Sequence, residues 1–101
     1  MAASFSTLTA VDRCIISAPR NCLEVSSCVH DFGNIVECSA RNFHGKLVLM
    51  AVKIGNHCFD VTVVPYNHQG GKLAKGKAVR FTTTDTWVNE WLSAVGAKDS
   101  L

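Results

Sequence analysis

From Cys22 to Thr83 the chain repeats one pattern. Short runs of alternating apolar and polar residues are separated by turn-forming clusters, and beyond Asp85 the period lengthens to that of a helix. A period of two sends successive side chains to opposite faces of a strand, so each alternating run predicts a half-buried β-strand.

In the first run, Leu23, Val25, Ser27 and Val29 alternate with Cys22, Glu24, Ser26 and Cys28. Asp31-Phe32-Gly33-Asn34 is a turn in which Gly33 supplies positive φ, and residues 35–41 return as the hairpin partner. After the turn Asn42-Phe43-His44-Gly45, the run Lys46 to Ile54 is apolar on both parities and is expected to be the most buried strand. Gly55-Asn56 turns the chain into residues 57–64, where Phe59, Val61 and Val63 share one face. Residues 65–76 carry neither period, and residues 77–83 form a last strand with Val79 and Phe81 on one side.

In the tail, Trp87, Val88, Trp91, Leu92 and Val95 form one apolar helical face, with Asp85 as the expected N-cap and Gly96 as the stop. The two Trp rings are expected to anchor in the core. Near the other end, Leu8, Val11 and Ile15 have helical spacing while Cys14-Ile15-Ile16 reads as strand, which leaves residues 7–13 open.

At 101 residues the chain is long enough for one domain with one modest core. The expected organisation is a single domain over 1–101: a loose arm at 1–6, a β-rich core at 7–83, a helix at 84–96 and a tail at 97–101. The hydrophobic fraction of 48% against 18% charged excludes a disordered chain. No apolar run approaches the roughly 20 residues of a membrane span. The amino terminus lacks the charged and apolar regions of a signal peptide, and the five cysteines are an odd number. These features favour a reducing, intracellular and cytoplasmic setting, with the nucleus left open and the thiols acting as small hydrophobes.

Chemical motifs fail on inspection. Gly71 to Lys77 has P-loop spacing, but Ala78 stands where a Mg²⁺-binding hydroxyl belongs, and a strand rather than a helix follows. Cys22, Cys28 and His30 share a parity, yet Cys22 and Cys28 would lie about 20 Å apart along a strand, too far to share an ion. His57 and Cys58 are adjacent and so face opposite ways. No catalytic residue, metal site or cofactor is assigned, and the reading is a non-enzymatic binding module.

Charge is the most informative feature. Residues 41–80 hold seven bases, Arg41, Lys46, Lys53, Lys72, Lys75, Lys77 and Arg80, against the single acid Asp60, a balance of +6. The rest of the chain holds three bases and seven acids, or −4. Lysines track phosphates and flat rings stack on unpaired bases. The candidate interface is therefore Lys72, Lys75, Lys77 and Arg80 on phosphates, with Tyr66, Phe43 and His68 beside them.

The segment Lys75-Gly76-Lys77-Ala78-Val79-Arg80-Phe81 is similar to the Lys-Gly approach into a barrel strand of single-strand-binding domains. That resemblance implies a β-barrel and non-specific binding of single-stranded DNA or RNA. The expected fold is α+β and β-rich: five to six antiparallel strands in a small barrel or curled sheet, OB-like being one form, with one carboxy-terminal α-helix. The competing reading is an accessory or inhibitor protein that docks on another protein through its sheet edge or basic face. An exposed edge would also permit a homodimer.

Overall fold

Each alternating run is a strand in the computed structural model, which describes residues 3–69, 72–75, 77–98 and 101, with residues 68, 69 and 72–75 described by their backbone alone. The order is β1 (Ala3–Ser4), α1 (Ala10–Ile16), β2 (Glu24–His30), β3 (Ile35–Asn42), β4 (Gly45–Gly55), β5 (Cys58–Gln69), β6 (Lys72–Lys75), β7 (Val79–Thr84) and α2 (Asp85–Val95). The domain is α+β and β-rich.

The strands form one sheet in the order β1-β7-β5-β4-β3-β2, with β6 pairing to the far part of β5. The expected barrel is not formed: the path ends on β1 and β2, which do not pair with each other among the described residues. The sheet is also mixed, because β1 runs parallel to β7 while the other pairings are antiparallel.

Register builds the core. Val36 lies opposite Ala51 and Cys38 opposite Leu49. Val61 faces Ala51 on one side and Phe81 on the other, and Val63 lies between Leu49 and Val79. All of these are buried, and Ile16, Val88, Trp91, Leu92 and Val95 from the two helices cover them. Both helices therefore lie on one face of the sheet, and the molecule is 19 Å across its shortest dimension, the depth of two layers.

The opposite face is open, which corrects the expectation for β4. Met50, Val52 and Ile54 are exposed although their run is apolar on both parities. The cause lies in the neighbouring strands. On that face β3 presents Glu37, Ser39 and Arg41, and β5 presents Asp60 and Thr62. A second covering layer would have to bury these polar groups, so the apolar stripe of β4 stays in water.

Four local readings also change. Residues 10–16 are helical, not extended: Thr9 caps them by accepting from the Asp12 amide at 3.0 Å, and the chain leaves the helix at Ser17, ahead of Pro19. The cap of α2 is Thr84 rather than Asp85, its hydroxyl accepting from the Trp87 amide, and Gly96 ends the helix with φ 82°. The amino-terminal arm is anchored: Phe5 lies 5.7 Å from Phe81 and 5.8 Å from Trp87 between ring centroids. Finally, β5 runs on through Pro65 to Gln69. On its far edge residues 58–63 pair with β7 and residues 66–69 with β6. Pro65 falls in the gap between those two partners, where a missing N–H costs nothing.

Among the cysteines only Cys38 is fully buried, while Cys14 and Cys28 are exposed. Burial, with Cys22 nearby, pushes the Cys38 thiol up to about 11. No described helix is long and apolar enough to cross a membrane.

Candidate nucleic-acid interface

Arg41 and Lys46 lie at one end of the open face, with the backbone of Lys75 in the same row. The register sets Glu24 opposite Arg41, Arg41 opposite Lys46, and Lys46 opposite Tyr66, and the backbone of Lys75 follows in the same row. Even strand spacing thus converts residues scattered over 24–75 into one line across five strands. The Arg41 guanidinium bonds Glu24 Oε1 at 3.1 Å through Nη2, while its Nε is buried with no partner among the described residues. The Lys46 ammonium sits 5.1 Å from the centroid of the Tyr66 ring.

Two devices hold this end in shape. The Asn42 side-chain oxygen accepts from the His44 amide at 2.8 Å and the Gly45 amide at 3.2 Å, which fixes the β3–β4 turn. Gly45 has φ 152°, and a Cβ there would collide with the Tyr66 carbonyl, so only glycine lets β4 approach β5 this closely. The turn carries Phe43 on its tip with 82% of its surface exposed. A cleft of about 180 Å³ lies beside it, lined by His44, Lys46, Tyr66 and Asn67 among others. That is smaller than the roughly 300 Å³ at which small-molecule sites begin.

The seven residues singled out from the sequence divide into four groups. Tyr66 and Phe43 lie at the same end, on neighbouring strands and their turn. Lys77 is exposed just ahead of β7. For His68, Lys72 and Lys75 the backbone belongs to the β5–β6 hairpin, and their side chains lie outside the described residues.

Arg80 is engaged elsewhere. Its Nη2 lies 2.6 Å from Asp60 Oδ2 and its Nε 3.2 Å from both carboxylate oxygens, and this bonding raises the guanidinium pKa further. A phosphate could reach it only by displacing Asp60. The alternation did signal that Arg80 and Asp60 share a face, but only the β5–β7 register, Thr62 opposite Arg80 and Asp60 opposite Thr82, makes them diagonal neighbours.

Sequence reasoning missed Lys46 and His44 as site residues. Both belong to the basic half, and their place at this end depends on the pairing of β4 with β5. Among the described residues no cluster of three or more His, Cys, Asp or Glu is arranged to hold a metal ion. Cys28 Sγ lies 3.7 Å from His30 Nδ1, and this pair does not include Cys22. No protein-family model, curated protein or solved structure matches the chain.

Proposed function

We propose that the protein is a small non-enzymatic module that binds single-stranded DNA or RNA, without strong sequence preference, along the basic end of its open sheet. The observation that carries this reading is Lys46 set opposite Tyr66 beside the exposed Phe43, with the backbone of Lys75 next in the same row. Cations in line give a track for phosphates, and rings next to them give platforms for unpaired bases. An open sheet face offers the strand a flat path in place of a barrel groove. Lys46, Lys72, Lys75 and Lys77 contact phosphates, Phe43 stacks freely, and Tyr66 stacks once Lys46 moves from its ring to a phosphate. Arg80 stays with Asp60.

Anisotropy of labelled single-stranded DNA and RNA at about 50 and 200 mM salt tests the proposal. Four phosphate contacts on a single strand weaken binding by about 50-fold between those concentrations. Phe43→Ala costs about 1–3 kcal/mol of binding, Lys46→Ala lowers the salt slope, and Arg80→Ala leaves both nearly unchanged. Absence of binding at the lower salt overturns the reading.

One observation favours a second reading, an accessory protein that docks on another protein: the exposed Met50, Val52 and Ile54 on β4. Binding centred on these apolar residues would persist at high salt and survive loss of the lysines.

A further inference from the structure

We infer that Cys28 is a nucleophilic thiol that exchanges with small disulfides, with His30 as its base and Glu37 orienting the imidazole. The inference is independent of nucleic-acid binding, and the reaction is a stoichiometric modification of the chain.

Strand geometry builds the constellation. Cys28 and His30 are two residues apart on β2, so both side chains lie on the open face of the sheet. Pairing with β3 sets Glu37 opposite Cys28 and Ile35 opposite His30, which makes Glu37 the diagonal neighbour of His30. Cys28 Sγ lies 3.7 Å from His30 Nδ1, and His30 Nε2 lies 3.8 Å from Glu37 Oε2. Both ring nitrogens are therefore engaged, one by a thiol and the other by a carboxylate. A carboxylate beside Nε2 favours the tautomer with its hydrogen there, which leaves the Nδ1 lone pair facing the thiol. Thiol, base and orienting carboxylate in series form the arrangement that activates a nucleophile.

The thiol is also reachable. Cys28 is exposed. A depression of about 370 Å³ opens beside it, lined by Ser26, Glu37, Ser39, Val48 and Met50 among others. Small-molecule sites begin at about 300 Å³, so a small disulfide fits. Disulfide exchange passes charge from one sulfur to another and develops no oxyanion, so a base and an open path are what it asks of the protein. The carboxylate of Glu37 stands opposite the thiol. It repels an anionic reagent, and the favoured class is therefore a neutral or cationic disulfide.

The step balances. His30 Nδ1 takes the proton of the Cys28 thiol as Sγ attacks one sulfur of R–S–S–R. A new S–S bond forms to Cys28, the old one breaks, and the departing R–S⁻ takes the proton back from His30. Cys28 is oxidised to a mixed disulfide, and the other half of the reagent is reduced to the thiol R–SH.

The chain carries its own controls. Cys14 is exposed like Cys28, but among the described residues no imidazole contacts it, the Ser17 hydroxyl bonding only its carbonyl oxygen. Cys38 is buried and reports unfolding.

Bis(2-hydroxyethyl) disulfide, cystamine and oxidised glutathione are each added to the full chain at about pH 7, where much of an imidazole is free to accept a proton. Peptide mass mapping follows each cysteine with time. Cys28 is expected to react about tenfold faster than Cys14. At Cys28 the neutral and cationic reagents outrun oxidised glutathione. His30→Gln removes the base and brings Cys28 down to the rate of Cys14, which itself stays unchanged. Glu37→Gln slows Cys28 by about threefold, and nitrogen NMR shifts show the His30 ring hydrogen leaving Nε2 for a mixture of the two tautomers. Unmodified Cys38 shows that each variant is folded. The comparison of Cys28 with Cys14 in the parent chain needs no variant, so it decides even where a substitution unfolds the protein. Cys28 reacting no faster than Cys14, a His30→Gln variant that keeps the parent rate with Cys38 protected, a His30 ring with its hydrogen on Nδ1 in the parent, or oxidised glutathione as the fastest reagent at Cys28 would each overturn the inference.

Discussion

Trp91 Nε1 donates a 2.8 Å hydrogen bond to the carbonyl oxygen of Ile16, joining α2 to the last turn of α1 across 75 residues of sequence. Ile16 and Trp91 are both buried, so the bond satisfies a helix-end carbonyl that water cannot reach. Trp91→Phe keeps most of the ring and removes the donor. It is expected to cost about 1–3 kcal/mol, read as a lower urea midpoint at unchanged slope.

Gly45 and Gly33 both have positive φ, but only Gly45 has backbone where a Cβ would go. Gly33→Ala should cost about 1 kcal/mol of backbone strain. Gly45→Ala must also push the Tyr66 carbonyl away, so its loss should be larger, about 2–3 kcal/mol. Amide shifts at Tyr66 and Asn67 should accompany the second substitution and not the first.

The thiols should separate by reactivity. With Cys38 pushed up to about 11, only about one molecule in a thousand carries that thiolate at pH 8. Exposed Cys14 and Cys28 are expected to alkylate in the native protein, and Cys38 only after unfolding. Peptide mass mapping after timed iodoacetamide treatment checks the order.

His57 Nδ1 lies 2.7 Å from Asp85 Oδ2, which ties the β4–β5 turn to the first turn of α2 and lowers the Asp85 pKa. A lowered carboxyl pKa stabilises the fold at pH values above the ordinary value of 3.8, and that contribution disappears as pH falls through the lowered one. His57→Ala should therefore unfold more easily than the parent at pH 5, and the two should converge once pH has fallen below the lowered Asp85 pKa. An NMR titration should show the Asp85 carboxyl moving up toward its ordinary range in the variant.

Much of the fold was legible because local pattern and burial agree. Phe59, Val61 and Val63 alternate and are buried as a set, and α2 carries its apolar face where the helical period put it. The first helix was left open over residues 7–13 because Ile15 and Ile16 are β-branched and favour strand, although Thr9 three residues before Asp12 signals a helix start. The apolar run of β4 was taken for a strand buried on both faces. Whether its second face is covered depends on how many layers the whole chain can supply, which no local window contains.

The amino-acid order by itself determined the extended runs of β2, β3, β4 and the first half of β5, the helix α2, and which residues of those strands share a face, since these follow from steric periods within a few residues. Tertiary structure decided which charges remain available. Arg80 and Arg41 count as bases in any sum, yet pairing across strands sets one against Asp60 and the other against Glu24, while Lys46 is carried to the ring of Tyr66. Charges interact through space over a few ångströms, and strand register alone brings residues 20 positions apart within that distance.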